Sequence, residues 1–306
     1  MRVIAFNPFS LKEDVRREES RALELNVAMK PFLTANWRYL AMLNYVVDPR
    51  LIAPLVPHGT EIDFENGETF LSVVGFLFLD TRLLGLPIPL HRDFEEVNLR
   101  FYVRRKSADT WRRGVVFIRE LVPRRAIALV ARAFYGENYV ALPMKHEIEH
   151  LAAPASGGQL LHSTGDVASK DKGRSSWATQ PVDATARPSG AKGVDSNLKV
   201  EYSWRRGRKW ESLKMRASGE PQTIPAGSHT EFITEHYWGY TSLRNGCGEY
   251  QVEHPRWKMW NASEFELNAD VAPLYGKQFA ETLNQPPRSA FITDGSPITI
   301  QKRDIL

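Results

Sequence analysis

Apolar residues in this chain recur mostly at every second position over short stretches, which is the spacing of strands rather than of helices. Phe94 to Arg105 is the clearest case: Val97, Leu99, Phe101 and Val103 share one face, and Glu96, Asn98, Arg100 and Tyr102 share the other. Thr69 to Asp80 is nearly continuous in apolar residues, the pattern of a buried strand. Gly114 to Val122, Leu198 to Trp204 and Trp210 to Ala217 read as further strands, and Tyr139 to His150 as one strand. Trp37 to Tyr45 fits a strand or a short helix, and Gln251 to Trp260 and Glu264 to Leu267 look extended. Asn66-Gly67 is a hairpin turn signal, and Asp294-Gly295 predicts a turn closing a hairpin between Ala290–Ile292 and Ile298–Gln301.

Helical signals are fewer. Ser10 and Glu13 have capping-box spacing ahead of a stripe through Leu25, and Ser228 and Glu231 repeat that spacing ahead of a helix reaching Tyr237. Asp48-Pro49 opens a short helix that Pro57 ends, Pro123 opens one that Gly136 ends, and Ala272 to Leu283 carries Pro273 in its first turn. Many strands, a few interspersed helices and no regular βαβ alternation predict a β-rich α+β fold around an antiparallel or mixed sheet. A chain of 306 residues has room for such a sheet to curve into a β-barrel. The expected organisation is a helical extension over 1–30 and a single domain over 31–306. A Gly-, Ser-, Ala-, Lys- and Asp-rich insertion interrupts that domain at about 154–196.

Composition narrows the function classes. Hydrophobic residues make up 42% of the chain, enough for a packed core. No apolar run approaches the roughly 18 residues of a membrane span, so no membrane partner is expected. The N-terminus lacks the apolar run of a signal peptide, and the single cysteine, Cys247, excludes an intrachain disulfide; both point to the cytoplasm. Cys247 itself reads as a small residue in the turn Asn245-Gly246-Cys247-Gly248. The net charge is +4, but basic pairs such as Arg112-Arg113 and Arg205-Arg206 sit at strand ends among acids. They do not form a stripe interleaved with stacking aromatics, so no nucleic-acid partner is expected.

Three constellations carry candidate chemistry. The row Glu96, Asn98, Arg100, Tyr102 would converge on one volume if its face points inward; Arg100 would bind a carboxylate and Glu96 act as acid or base. The competing reading is a solvated strand face with surface ion pairs. His146-Glu147-Ile148-Glu149-His150 matches the H-E-x-x-H zinc signature, which works only on a helix. On a strand the two histidines stand about 13 Å apart, too far for one ion, so no metal is expected. Histidines among aromatics at Glu235-His236-Tyr237 and Glu253-His254-Pro255-Arg256-Trp257 fit either a core or a pocket. No phosphate-binding, dinucleotide-binding or nucleophile-elbow motif is present, so no cofactor is expected.

A family resemblance rests on Trp37-Arg38-x-Leu40, Asp48-Pro49, Leu55-x-Pro57-x-Gly59, Phe94-x-Glu96-Val97-Asn98-Leu99-Arg100-x-Tyr102-Val103, Arg113-Gly114-Val115-Val116-Phe117, Glu253-His254-Pro255-x-Trp257 and Asp294-Gly295-Ser296-Pro297. Together these resemble the YqjF-like family of conserved bacterial proteins, itself similar to acetoacetate decarboxylase. The resemblance implies a β-barrel-like cone with flanking helices and an interior small-molecule pocket. In the decarboxylase a Pro-Lys-Lys motif supplies a Schiff-base lysine and a neighbour that lowers its pKa. The matching place here reads Pro143-Met144-Lys145, and methionine forms no imine.

The expected function is therefore binding, or turnover without that lysine, of a small anionic or keto-acid-like ligand. Glu96, Asn98, Arg100, Tyr102, Met144, His146 and His254 form the expected ligand-contacting set, and Glu96 and Lys145 are the catalytic candidates. The alternatives are a Schiff-base lyase using Lys145 and a non-catalytic structural or interaction protein. Homo-oligomerisation is left open.

Overall fold

The computed structural model describes residues 31–88, 92–123, 138–151 and 197–306. The helix predicted at Ser10 to Leu25, the one opening at Pro123 and the 154–196 insertion lie outside the described residues. The strands are β1 Leu33–Val46, β2 Glu61–Ile62, β3 Phe70–Leu83, β4 Leu86–Pro87, β5 Phe94–Ser107, β6 Thr110–Val122, β7 Tyr139–Ala141 and β8 Met144–Leu151. They continue as β9 Asn197–Arg206, β10 Lys209–Ser218, β11 Gln222–Thr223, β12 Trp238–Leu243, β13 Gly246–Glu253, β14 Lys258–Asn268, β15 Ser289–Ile300 and β16 Asp304–Ile305. Short helices α1 Pro49–Ile52, α2 His229–Thr234, α3 Val271–Tyr275 and α4 Ala280–Leu283 punctuate them. None of the described helices is long and apolar enough to cross a membrane.

One curved sheet runs in the order β16-β13-β12-β6-β5-β3-β1-β15-β14-β10-β9-β8. β13 also pairs with β15, Val252 opposite Ile300, so the hydrogen-bonded circuit from β13 through β5 and β1 returns to its start. This is the strand-rich α+β architecture that the alternation predicts, with antiparallel pairs dominant and β12–β6 and β6–β7 parallel. The local turn chemistry holds where it was readable. Asn66 and Gly67 both take positive φ, at 51° and 84°, beside the Glu65–Glu68 bridge. Asp48 caps α1 by accepting from the Arg50 backbone N–H. Trp37 to Tyr45 is strand, within β1.

Four expectations are corrected. Tyr139 to His150 is two strands, because Leu142-Pro143 leaves the ladder between β7 and β8. Ala272 to Leu283 is not one helix: Gly276, at φ 118°, separates α3 from a 3-10 turn and α4. The helix after Ser228 stops at Thr234, so His236 and Tyr237 lie in the connection to β12 rather than on the helix. The hairpin at Asp294-Gly295 does not form, and Ser289–Ile300 is one strand along β1. Gly295 has φ 75°, and a Cβ there would lie 2.1 Å from the Trp37 carbonyl oxygen. The glycine therefore lets two long strands pass closely instead of reversing the chain.

Both faces of the central strands are covered. Val97, Leu99, Phe101 and Val103 belong to one core with Tyr202, Trp204 and Leu213. Tyr102 joins a second core with Met42, Val74, Phe76 and Phe232 on the opposite face. The polar row of β5 thus looks into protein, not into solvent.

Candidate functional site

Strand β5 carries Glu96, Asn98 and Arg100 at 2%, 1% and 8% relative exposure, all on the face of the second core. They line one cavity with Glu120 of β6, Tyr139 of β7, Thr234 of α2, His236 and His254. Aromatic rings of Trp37, Phe76 and Trp257 form its apolar wall. The cavity measures about 60 Å³, room for about four to six waters at the roughly 10–15 Å³ that one needs.

The polar groups are unevenly satisfied. Asn98 Nδ2 donates to Glu96 Oε1 at 3.0 Å, and Tyr139 Oη donates to Glu96 Oε2 at 3.4 Å. Arg100 Nη2 donates to the Ile233 carbonyl at 3.4 Å, and its guanidinium lies 5.6 Å from the Tyr102 ring centroid. Arg100 Nε is buried with no hydrogen-bond partner, and so is Asn98 Oδ1. A buried cation held by one long hydrogen bond and a ring retains capacity for a carboxylate, whose two oxygens match the guanidinium fork.

The opposite wall is set by α2. Ser228 Oγ caps it by accepting from the Glu231 N–H at 3.2 Å. His229, in its first turn, sits between Glu65 Oε2 at 2.5 Å and Ser289 Oγ at 3.0 Å, pinning the helix to the Glu65–Glu68 turn and to the start of β15. The chain leaving α2 then carries His236 into the cavity wall. His236 Nε2 faces Asp63 Oδ2 at 3.3 Å, and that same oxygen accepts from Arg113 Nε at 2.7 Å. Burial pushes the His236 pKa down to about 4, against the opposing pull of Asp63. The imidazole is therefore neutral, with the Nε2 proton directed at the carboxylate and Nδ1 left as a buried acceptor without a partner. Asp63 stays ionised: burial alone would raise its pKa, but the hydrogen bonds from His236 and Arg113 lower it overall.

His254 presents a second neutral imidazole. Burial lowers its pKa, Nδ1 donates to the Pro255 carbonyl at 3.0 Å, and its ring stacks 4.2 Å from Trp257. Gly239 brings β12 against β13 here. A Cβ on it would come within 2.1 Å of Tyr250 Cζ, so only glycine leaves this wall in place.

The expected site residues divide. Glu96, Asn98, Arg100 and His254 share the cavity. Tyr102 stands behind it, its ring 4.7 Å from His236 and its hydroxyl turned to Ser72 Oγ at 2.6 Å. Met144, Lys145 and His146 lie on β8, outside the cavity lining. Met144 packs against the first core. Lys145 is exposed, its ammonium 4.9 Å over the Trp210 ring. His146 Nδ1 lies 2.6 Å from Glu95 Oε1, a bond that raises the histidine pKa. The H-E-x-x-H segment is strand, and its second histidine turns to Tyr39 Oη at 3.1 Å. Sequence reasoning did not single out Asp63, Glu120 or Tyr139, and it named Arg113 only within a basic pair and a family motif, not as a site residue. Asp63 and His236 are 173 residues apart, and no local pattern joins them.

Comparisons with known proteins identify a family and a fold. The family DUF2071, described as an uncharacterized conserved protein, matches residues 34–297. Uncharacterized protein YqjF of Bacillus subtilis (strain 168) is 27% identical over 248 residues, covering 80% of this chain and 82% of that protein. The crystal structure of acetoacetate decarboxylase from Legionella pneumophila superposes with a TM-score of 0.53 at 12% identity, over 90% of this chain and 87% of the other. The enduracididine biosynthesis enzyme MppR, complexed with pyruvate, superposes with a TM-score of 0.52 at 12% identity, over 91% of each chain. At these identities the likeness is one of fold.

Proposed function

The chain belongs to the DUF2071 family of conserved proteins, and from that premise we propose that it binds a small carboxylate, of the keto-acid class, in the cavity beside β5. The fold is that of the acetoacetate decarboxylase-like enzymes. In this reading the curved sheet acts as a barrel whose interior holds the ligand. The observation carrying it is Arg100: a guanidinium at 8% exposure, lining a small cavity, with an unpartnered Nε. Asn98 and Glu96 orient the rest of the ligand, and the aromatic wall excludes water. The pyruvate complex of a structural neighbour agrees with a ligand of this size and charge.

No lysine is among the described residues lining the cavity. Lys145 stands exposed over Trp210 on another strand face, so the reading assigns it no imine. Titration calorimetry tests the proposal with pyruvate and acetoacetate against pyruvamide, the neutral analogue of the first. The acids are expected to bind and the amide not. Arg100→Gln is expected to weaken the acids by about 10- to 100-fold, the worth of a charged hydrogen bond. Equal binding of acid and amide, or unchanged affinity in Arg100→Gln, overturns it.

A further inference from the structure

We infer that His236, oriented by Asp63 and Arg113, is the proton acceptor of this cavity, and that the bound acid is a 2-oxo carboxylate which it enolises. The inference rests on the carboxylate reading above and adds a reaction to it. Four features support it. His236 is 8% exposed and lines the same 60 Å³ cavity as Arg100. Its Nε2 is committed to Asp63, which fixes the tautomer, while Nδ1 is buried and unpartnered. Arg113, donating to the same Asp63 oxygen, keeps that carboxylate ionised and in place. The rings of Tyr102 and Phe232, 4.7 and 5.4 Å away, hold the imidazole plane. A base directed by a fixed carboxylate behind it is the arrangement of a general base, not of a solvated histidine.

The other bases in the cavity are less suited. Both carboxylate oxygens of Glu96 are already engaged, one by Asn98 and the other by Tyr139. His254 has a backbone carbonyl, not a carboxylate, behind its Nδ1.

Arg100 links binding to basicity. Its positive charge is one of the causes, after burial, that depress the basicity of His236. A carboxylate on Arg100 offsets that charge, so the base strengthens when the acid is bound.

In the proposed step a C–H adjacent to the ketone gives its proton to Nδ1. Its electron pair forms the C=C bond, and the carbonyl π pair moves to oxygen as an enolate. The side chains of Arg100 and Asn98 stand in the cavity to meet that oxygen. Return of a solvent-derived proton reverses the step, so the net event without a second reactant is proton exchange.

The experiment uses the full chain, pyruvate in D2O and proton NMR of the methyl group. Catalytic loss of the methyl signal is expected. His236→Gln keeps an N–H donor toward Asp63 and replaces the basic nitrogen with a non-basic amide; its exchange is expected to fall at least about 100-fold, with pyruvate affinity changed less than threefold. Asp63→Asn, which removes the orienting charge, is expected to slow exchange while pyruvate still binds. Pyruvate binding without exchange in the wild type, or wild-type exchange in His236→Gln, overturns the inference. A lysine adduct trapped by borohydride would assign the exchange to an imine and also overturn it. Failure of every acid to bind would instead refute the carboxylate reading itself.

Discussion

Replacing Arg100 with leucine separates stability from binding. In the folded protein the guanidinium is at 8% exposure and makes one hydrogen bond of 3.4 Å and one ring contact at 5.6 Å. Losing the long bond to Ile233 costs about 0.5–1.5 kcal/mol, and losing the Tyr102 contact costs about 1 kcal/mol. Against this, holding a cation away from water costs several kcal/mol. The carboxylates Glu96 and Glu120 on the same cavity wall offset part of that cost. Leucine also leaves those two buried carboxylates without the cation, so the balance lies within about 3 kcal/mol either way. At about 2 °C per kcal/mol for a chain of this size, the melting temperature is expected to move by no more than about 6 °C in either direction. Pyruvate at a hundred times its dissociation constant stabilises the wild type by about 2.7 kcal/mol. The resulting shift of about 5 °C should vanish in the variant. Differential scanning fluorimetry with and without pyruvate reads both numbers. A variant weakened by more than about 3 kcal/mol would mean that Arg100 is a satisfied structural cation. A surviving ligand shift would mean that the acid binds elsewhere. Either result refutes the reasoning.

Two further outcomes are expected. His236 titrates near 4 when folded and near its ordinary value when unfolded, so between about pH 6.5 and 4 the unfolded chain binds the extra proton and stability falls with pH, by on the order of 3 kcal/mol. Urea unfolding at pH 7 and pH 4 should show that loss in the wild type and a smaller one in His236→Gln; equal losses would show a charged or exposed imidazole. The contribution of Asp63, whose pKa is lowered in the folded state, is present above the ordinary carboxylate value and disappears only at more acidic pH. Gly239→Ala pushes a methyl group into Tyr250 and is expected to cost about 1–3 kcal/mol while weakening pyruvate binding; unchanged stability and affinity would show that the wall yields freely.

What was legible in the sequence was what is encoded locally. Strand periodicity depends on neighbouring residues, so β3, β5, β9 and β10 appear near their predicted places. Caps and tight turns depend on one or two residues, so Asp48, Asn66-Gly67 and Ser228 act as expected. The row Glu96, Asn98, Arg100 on one face followed from the two-residue repeat alone. Whether that face met water did not, because alternation is the same on a strand covered once or twice. The second core, built from residues as distant as Phe232 and Ile300, decided it.

The same limit explains the failures. Asp294-Gly295 has the composition of a turn, but eleven paired positions along β1 outweigh one local preference. Met144, Lys145 and His146 are adjacent to a motif in sequence yet lie outside the cavity lining, because β8 pairs with β9 and presents them elsewhere. Asp63 and His236 carry no shared signal; only chain reversal across the sheet puts a carboxylate behind an imidazole. Periodicity is a property of neighbours, and the sequence by itself determined that much. Convergence of side chains is a property of the closed sheet, and only the tertiary structure decided which groups face one another.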